Sequence, residues 1–418
     1  MGANKLASNA EQPLRKRSLS LAVWPSTSDG VGVLWSVKHD TLYITRMKLV
    51  IDAIPVNPSG GLTVLLGLLR GWRRNGRRMH ITVLARSPNT IEQIQATGCV
   101  DRIEPVLVHA GAVKTFFWQN HSLGRFIQKL GADLLLTNNH YLHNIACPQV
   151  VHHHNLWRFQ KPEGLETTRR SLGDAFRDWH ADKALRLAAA NVFVSQYLRN
   201  EAEKRNPSAT ERNYVVQNCL DDDMVDAAKR IPDRFDGRPH LMAIQSANVH
   251  KDIPTLLCTL AELVKRAGDV PWHLHVAGPI GRGNWGPFQQ FAGELGVADR
   301  ITWHGLCTQE QLDTLLRSSL CLVLTSLLEA GPLPPLEAMA RRCPPVSSNV
   351  TAMPEFVGNA GLLVPPRRPE KFAEQVLRLY YEPALRDELV ARGIQHIQPL
   401  RWSVGAEQMW GIFHQLSG

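Results

Sequence analysis

Cysteine is sparse in this sequence, and no two cysteines form a C-x-x-C pair. The seven Cys are scattered along 418 residues and their number is odd. Several lie in predicted strands or helices, where Cys usually acts as a small buried hydrophobe. We therefore expect no disulfide framework and a reducing compartment, the cytosol.

Long apolar runs are also missing. No stretch reaches the roughly 18 apolar residues that a membrane-spanning helix needs. The basic residues 15–17 and the apolar run 18–24 loosely resemble a signal peptide, but Pro25 ends that run and no small-residue cleavage site follows. The sequence therefore argues against a membrane span and against secretion.

Motifs of several common protein classes are missing as well. The turn after the first predicted strand is not G-x-G-x-x-G, which argues against a dehydrogenase. There is no H-E-x-x-H and no zinc spacing of Cys and His, and the letters of D-x-D at 221–223 fall in a polar linker. No basic motif interleaved with aromatic residues supports nucleic-acid binding. We expect neither a bound metal nor a nucleic-acid partner.

Positive charge is in excess. The chain carries a formal net charge of +9 and has a pI of about 9.3. Such a balance favours anionic partners, among them nucleotides and phospholipid head groups. With 44% apolar and 20% charged residues the composition is that of a globular protein, and the length suggests two or three domains.

Short apolar runs alternate with helical patterns through most of the chain. Many of these runs are nearly continuous in Val, Ile and Leu, as strands buried on both faces are. Alternation at this spacing predicts two α/β domains with parallel sheets. The predicted strands are 48–54, 80–85, 103–108, 133–137, 149–152, 190–194 and 213–217, then 240–245, 272–277, 301–304, 320–324, 344–347 and 361–364.

The alternation suggests a division into three parts. Residues 1–46 have no sustained period, so we expect a weakly ordered extension, and one interpretation places it upstream of the true start codon. The first domain is predicted at 47–230 and the second at 238–394, and the polar segment from Asp221 to Pro239 is taken as the linker. The helix at 400–418 is assigned to the first domain.

Two glutamates lie eight residues apart after a predicted strand of the second domain. Glu329 falls in the strand-to-helix loop and Glu337 about one turn inside the helix. In open α/β sheets, ligands bind in the crevice beyond the carboxyl ends of the strands. Because an ionised carboxylate accepts several hydrogen bonds, this pair predicts a polyhydroxyl ligand.

Two further strand-to-helix turns carry candidate ligand-binding residues. Lys251 lies near a helix N-terminus, where the helix dipole disfavours a cation, so a bound anion is one interpretation and a solvated Lys the other. Gly60 and Gly61 open the helix after the first strand and would let backbone approach a ligand. The alternative for these two glycines is an ordinary turn.

Taken in order along the chain, these features resemble a known family. The features are Gly60-Gly61, Val194-Ser195, Val216-Gln217-Asn218, Lys251, Gly278, His304-Gly305, Glu329, Glu337 and the phrase from Pro354 to Pro366. This ordered set resembles the retaining GT-B glycosyltransferases of family four. The resemblance covers about 47–415 and is strongest from 245 to 366.

The resemblance implies two Rossmann-like domains that face each other across a cleft, with a nucleotide diphosphate sugar held mainly by the second domain. It implies that Glu337 binds the ribose, Glu329 contacts the donor sugar and Lys251 neutralises the diphosphate. The loop from Gly331 through Leu333 to Pro335 would supply backbone donors. Such enzymes retain anomeric configuration and usually need no metal, and we expect no cofactor beyond the co-substrate.

The resemblance is incomplete around the donor site. The family commonly has Arg where this chain has Ser246, so one diphosphate cation is either missing or supplied from elsewhere in the chain. Ser246 and Gly278 are kept as substrate-binding candidates. Asn218 is followed by Cys219 instead of Gly, and Thr351-Ala352 replaces Gly-Gly. These differences bear on the donor more than on the fold.

Histidines follow two strands of the first domain. His140 resembles the family histidine that reaches the donor sugar. His152, His153 and His154 end the next strand, where successive side chains point to opposite faces and cannot easily share one metal. By the family pattern His154 faces the cleft; the alternative is a polar strand end.

Arginines form a stripe on the first helix. Arg70, Arg73 and Arg74 lie opposite its apolar face, and Asn75-Gly76 is expected to end the helix before Arg77. A solvated face is one interpretation. The other is docking on anionic lipid at the inner face of the plasma membrane, assisted by the aromatic segment 113–118.

The hypothesis that follows is a cytosolic glycosyltransferase that moves a hexose from a nucleotide diphosphate sugar to a glycan or lipid-linked acceptor in surface polysaccharide or glycolipid assembly. One alternative is another GT-B enzyme, an epimerase or a phosphorylase. A second alternative is a non-catalytic basic protein that binds a polyanion.

Overall fold

A computed structural model describes residues 19–22, 34–37, 47–56, 60–106, 122–160, 172–279 and 285–417. The chain forms two compact units, Met1–Met47 and Lys48–Gly418. In the first unit, β1 (Leu19–Ala22) pairs with β2 (Leu34–Val37) in an antiparallel ladder. The rest of the extension up to residue 46 lies outside the described residues.

The second unit begins with a seven-stranded parallel sheet in the order β5-β4-β3-β6-β7-β8-β9. Its strands are β3 (Lys48–Asp52), β4 (His80–Ala85), β5 (Arg102–Pro105), β6 (Leu134–Asn138), β7 (Gln149–His153), β8 (Ala190–Phe193) and β9 (Asn213–Val215). Its helices are α1 (Gly60–Arg74), α2 (Pro88–Thr97), α3 (Leu123–Leu130), α4 (Leu172–Leu187) and α5 (Gln196–Arg205).

A second parallel sheet has six strands in the order β12-β11-β10-β13-β14-β15. Its strands are β10 (His240–Ile244), β11 (His273–Ala277), β12 (Ile301–Gly305), β13 (Cys321–Leu324), β14 (Pro345–Ser348) and β15 (Leu362–Val364). The remaining helices are α6 (Asp222–Ala228), α7 (Ile253–Arg266), α8 (Gly286–Glu294), α9 (Gln309–Arg317), α10 (Pro334–Ala340), α11 (Met353–Val357), α12 (Pro369–Tyr381), α13 (Pro383–His396) and α14 (Trp402–Ser417).

Burial explains why the apolar runs become central strands. Leu49, Ile51 and Leu274 are fully buried, and the helices cover the sheets around them. Burying one such side chain contributes roughly 1.5–3 kcal/mol. The predicted pair of α/β domains with parallel sheets is confirmed, and each predicted strand contains or overlaps a strand of the structure.

Strand order gives each sheet one switch point. It lies between β3 and β6 in the first sheet and between β10 and β13 in the second, because the chain winds outward in opposite directions from these neighbours. Loops on the two sides of a switch point diverge and leave a crevice at the carboxyl ends of the strands, where ligands bind. We therefore expect the candidate site residues of both sheets in these two crevices.

The last helix, α14, returns to the first sheet and packs against α1. A Cβ on Gly67 would overlap the Trp402 indole, and a Cβ on Gly71 would overlap the Trp402 backbone carbonyl, so these glycines allow the two helices to approach closely. Trp72 Nε1 donates to the carbonyl of Ala406 at 2.9 Å. The start of α14 is fixed by Asp222, whose carboxylate accepts from the backbone and side chain of Ser403. In the described part of the chain, no helix combines the length and the apolar character of a membrane span.

Candidate functional site

Lys251 and Glu329 meet at the switch point of the second sheet. Lys251 ends the short helical turn after β10, and Glu329 follows β13, the neighbouring strand. Lys251 Nζ donates to Glu329 Oε1 at 2.5 Å, with 18% and 14% of the two side chains exposed. The negative charge expected beside Lys251 is supplied by Glu329.

The two loops that carry this pair are fastened to each other by other groups. The Thr325 hydroxyl donates to the carbonyls of Lys251 and Asp252 at 3.1 and 2.9 Å, and Leu327 N donates to His250 O at 2.7 Å. Asp252 has φ +49°, a left-handed conformation that Asp tolerates better than most residues. Hydrogen bonds to backbone carbonyls therefore hold the Lys251 loop and the Glu329 loop together, independently of the ion pair.

The loop after Glu329 offers fewer backbone donors than its length suggests. Proline has no N–H, so only Gly331 and Leu333 among residues 331–335 keep an amide. Neither amide donates to an acceptor within the described part of the chain. Two backbone N–H groups next to Glu329 are thus available for an anionic or hydroxyl-bearing ligand.

Glu337 lies one turn inside α10, on the same loop-helix segment as Glu329. Its amide donates to Leu333 O at 3.0 Å. Burial and the charge of Asp221 raise the pKa of the Glu337 carboxyl, and Arg341 only partly offsets them. No described residue donates a hydrogen bond to this carboxylate, so it keeps its acceptor capacity.

Ser246 and Gly278 follow β10 and β11 at the same edge of the sheet. The Ser246 hydroxyl accepts from Asn248 Nδ2 at 2.7 Å. Gly278 has φ +146° and donates to Gly305 O at 2.7 Å, and a Cβ on it would overlap the carbonyl of Gln245. Gly278 is therefore required for the close approach of two strand ends, whether or not it also approaches a ligand.

The first sheet carries its own ion pair at its switch point. Asp52, the last residue of β3, is fully buried and its Oδ2 lies 3.0 Å from His140 Nε2, just after β6. His140 Nδ1 lies 2.7 Å from the carbonyl oxygen of Asn138. Since a carboxylate and a carbonyl oxygen only accept, this arrangement of acceptors at both ring nitrogens favours the protonated ring.

The charge on His140 agrees with its electrostatics. Burial lowers the pKa of His140, but the hydrogen bond and charge of Asp52 and the Asn138 carbonyl outweigh burial, so the pKa lies above its ordinary value. The surroundings of His140 thus favour its positively charged form at the switch point. Its nitrogens are committed to the chain itself, which limits a direct hydrogen bond to a sugar.

The three consecutive histidines of β7 and the loop after it alternate in direction. The rings of His152 and His154 lie 4.1 Å apart on one side, and His153 stacks on Phe193 and binds Asn191 on the other. The expectation that they do not converge agrees with this geometry. Burial, followed by the charge of His153, lowers the pKa of His154 to about 3, so its imidazole is neutral.

Gly60 and Gly61 are the first residues of α1, as the helix pattern predicts. Gly60 is exposed, and a Cβ there would meet nothing within 4 Å. Residues 57–59, which join these glycines to the first strand, lie outside the described residues. The aromatic segment 113–118 lies outside them too.

The arginine stripe has partners within the chain. Arg70 pairs with Asp221 at 2.8 Å, Arg74 with Asp223 at 2.9 Å, and Arg73 donates to the carbonyls of Thr97 and Gly98. Helix α1 ends at Arg74, as Asn75-Gly76 predicts. The acidic linker therefore neutralises much of the surface that the sequence suggested for lipid, which weighs against that expectation.

Sequence reasoning missed four polar residues that the structure brings to the two sites. Asp52 holds His140, while Ser195, Asn218 and Glu355 form contacts between the two sheets. The last three belong to phrases that carried the family resemblance, but spacing alone assigned them no partner. Their partners lie more than 100 residues away along the chain.

Two family models divide the chain between them. The Glycosyltransferase Family 4 model matches residues 58–224, and the Glycosyl transferases group 1 model matches residues 225–396. The chain belongs to glycosyltransferase family four.

This glycosyltransferase is moderately similar in sequence to several curated proteins. It is 25% identical over 284 residues to the alpha-D-kanosaminyltransferase of Streptomyces kanamyceticus, a match that covers 65% of this chain and 72% of that protein. Two other curated relatives are 33% identical, but the match covers only 30% of each of them.

Solved structures share the fold of the glycosyltransferase. Sucrose-phosphate synthase from Thermosynechococcus elongatus has a TM-score of 0.70 at 19% identity, covering 89% of this chain and 99% of that one. Anabaena HepE in complex with UDP-glucose has a TM-score of 0.66 at 16% identity, covering 89% and 100%. At this identity the likeness establishes the GT-B fold alone.

Proposed function

We propose that this glycosyltransferase transfers a hexose, with retention of anomeric configuration, from a nucleotide diphosphate sugar to a glycan or lipid-linked acceptor. The observation that carries the proposal is the Lys251–Glu329 pair at the switch point of the second sheet, Nζ to Oε1 2.5 Å. A cation and a carboxylate at the place where α/β sheets bind ligands suit a diphosphate and a sugar, respectively. The UDP-glucose held by a protein of the same fold agrees with this donor class.

The chemistry assigns a task to each group. Breaking the sugar–phosphate bond builds negative charge on the diphosphate and positive character on the sugar ring. Lys251 would turn from Glu329 to the departing diphosphate, and Glu329 would face the sugar. Groups that bind more strongly as charge develops lower the barrier, and one well-placed donor contributes roughly 3–4 kcal/mol.

The neighbouring groups complete the donor site. The amides of Gly331 and Leu333 would donate to the donor's phosphate or hydroxyl groups, and Glu337 would accept from the ribose. The lack of a donor to the Glu337 carboxylate among the described residues supports this role, because two ribose hydroxyls would supply donors. Transfer through these groups uses no metal ion, and activity in the presence of a chelator tests that point.

Nucleotide binding is the decisive test. UDP, GDP and ADP are each added to the wild type and to Glu337→Ala in a thermal-shift assay. A nucleotide at 100 times its Kd stabilises the fold by about 2.7 kcal/mol. We expect one nucleotide to raise the Tm of the wild type and to leave that of Glu337→Ala unchanged.

The same assay separates the alternatives. Equal shifts of wild type and variant with every polyanion would indicate a non-catalytic basic protein. If a nucleotide binds but a mixture of acceptors gives no glycoside, an epimerase or a phosphorylase becomes the better assignment. Proton NMR of the glycoside product distinguishes retention from inversion, since the coupling constant of the anomeric proton reports the configuration of the new glycosidic bond.

Docking on the inner face of an anionic membrane is a separate proposal with less support. The net charge of +9 favours it. The pairing of Arg70 and Arg74 with the acidic linker opposes it. Pelleting with anionic vesicles at low salt tests the proposal, and protein that stays in the supernatant would remove it.

A further inference from the structure

A carboxylate of the second domain sits on the N-terminus of a helix in the first domain. Glu355, in α11, accepts from the backbone amides of Gln196 and Tyr197 at 2.9 and 3.1 Å and from Gln217 Nε2 at 2.6 Å. Gln196 and Tyr197 are the first residues of α5. Because a helix N-terminus carries positive potential and unpaired amides, this is a charge-assisted contact between domains.

Two more contacts join the first domain to the loop that carries Glu329. The Ser195 hydroxyl donates to Ala330 O at 2.5 Å, and Asn218 Nδ2 donates to Gly331 O at 2.7 Å. Ser195 is fully buried and Asn218 is 6% exposed, so neither donor has water as an easy substitute. The two carbonyls that these side chains hold follow Glu329 directly in sequence.

Packing leaves this loop little freedom. A Cβ on Gly331 would lie 2.8 Å from Asn218 Nδ2 and 2.9 Å from Val194 Cγ2, distances that real Cβ atoms do not adopt. On its other side, Glu329 N donates to the Thr351 hydroxyl at 2.9 Å. The loop is therefore pressed between the two domains, with Glu329 at its start.

We propose that Ser195, Asn218 and Glu355 are positioning residues that set Glu329 and the two free amides of its loop against the donor sugar. Glu355 fixes the first domain relative to the second, and Ser195 and Asn218 then fix the loop relative to the first domain. The proposal rests on the proposed function for the identity of the group that Glu329 faces. It assigns the first domain a part in shaping the donor site of the second.

The first experiment is independent of activity. Glu355→Gln keeps the shape of the side chain but removes its negative charge. It also places an NH2 group against the amides of Gln196 and Tyr197, which are themselves donors. Hydrogen exchange is measured on peptides covering 195–199 and 326–331. The matched control is Glu388→Gln, which removes an exposed carboxylate paired with Arg392 in the second domain. We expect faster exchange in both peptides of Glu355→Gln and in neither peptide of the control.

Unchanged exchange at 326–331 in Glu355→Gln would overturn the coupling between the domain contact and the loop. Because this readout needs neither substrate nor turnover, it stands even if the glycosyl donor differs from the one proposed. A failed search for transfer activity would count against the proposed function and leave the exchange result intact.

The second experiment asks whether the contacts position the loop or merely stabilise the fold. Asn218→Asp keeps the size of the side chain but places an acceptor against Gly331 O, and Asn200→Asp on the exposed face of α5 is the control. We expect kcat to fall by up to about 100-fold, as displacements near 1 Å do. The Kd for the nucleoside diphosphate should change much less, because Lys251 and Glu337 also hold it in the proposed site. A variant with a lower Tm but wild-type kcat per folded molecule would reduce Asn218 to a structural role and overturn the proposal.

Discussion

The two domains place an ion pair at the same topological position, but with the charges in opposite order. In the first sheet the carboxylate, Asp52, comes from the first strand and the cation, His140, from the neighbour across the switch point. In the second sheet the cation, Lys251, follows the first strand and the carboxylate, Glu329, follows the neighbour. The fold fixes where charges go, and the sequence of each half decides their sign.

The pairs also differ in how freely they can exchange partners. Asp52 has no exposed side-chain surface, and 19% of the His140 side chain is exposed, but both ring nitrogens of His140 are held in hydrogen bonds to the chain itself. Lys251 and Glu329 each keep 14–18% of the side chain exposed, and each has a flexible stem. The first pair is therefore suited to hold a charge in place, and the second to release its partners to a ligand.

Breaking the second pair is expected to give the largest effect. Lys251→Met keeps the stem but removes the charge, so the diphosphate would leave unneutralised and Glu329 would face the site alone. We expect kcat to fall by about 10²–10³, the usual loss for one electrostatic contact to the transition state. Initial rates with a donor sugar measure it, and Lys371→Met, from an exposed pair on α12, is the control. Activity near that of the control would contradict the role of Lys251.

Much of the second pair could be predicted from the sequence, and little of the first. Lys251 and Glu329 each follow an apolar run at a strand-to-helix junction. In a parallel sheet, residues that follow the strands lie at the same edge, the one formed by the carboxyl ends of the strands. Asp52 reads as part of the first strand, and its partner lies 88 residues later. The sequence spacing of Asp52 and His140 does not indicate that they are in contact. Contacts between loops depend on the order of strands in the sheet, and the alternation of strands and helices along the chain does not reveal that order.

The same limit applies to the contacts between domains. Glu355 and Asn218 belong to sequence motifs that resemble the family, but their hydrogen-bond partners are determined by how the two sheets face each other. The partners of the α1 arginines could not be predicted for a related reason. Their stripe is real, yet the acidic residues that neutralise it come from the linker, 149 and 151 residues away.

Breaking the first pair should show mainly in stability. Asp52→Asn removes a fully buried carboxylate that faces His140, and removal of one member of a buried pair costs about 3–5 kcal/mol. We expect the free energy of unfolding from denaturant titration to fall by that amount. The exposed Asp387→Asn serves as the control, with 76% of that side chain in solvent. A change no larger than the control's would mean that the Asp52–His140 contact does not stabilise the folded protein.

The pH dependence of stability tests the Asp52–His140 pair further, and the expected change in stability is smaller than that of Asp52→Asn. The pKa of His140 lies above its ordinary value because Asp52 and the Asn138 carbonyl outweigh burial. A raised folded-state pKa means that the stabilisation is complete below about pH 6.5, the unfolded value, and is lost as the pH rises through the folded value. The Tm difference between wild type and His140→Gln should therefore be largest near pH 6 and shrink at alkaline pH. A difference that grows with pH would show that the ring is neutral.

The smallest effect is expected from a surface ion pair in which both side chains are largely exposed. Arg70 and Asp221 have 50% and 42% of their side chains exposed, so solvent and salt screen their attraction. Arg70→Ala should change the free energy of unfolding by less than about 1 kcal/mol, and less still at high salt. Arg78→Ala removes the same charge from an exposed position and controls for net charge. If Arg70→Ala destabilised the protein as much as Asp52→Asn, burial would not be what separates the pairs, and the contrast between the two kinds of site would fail.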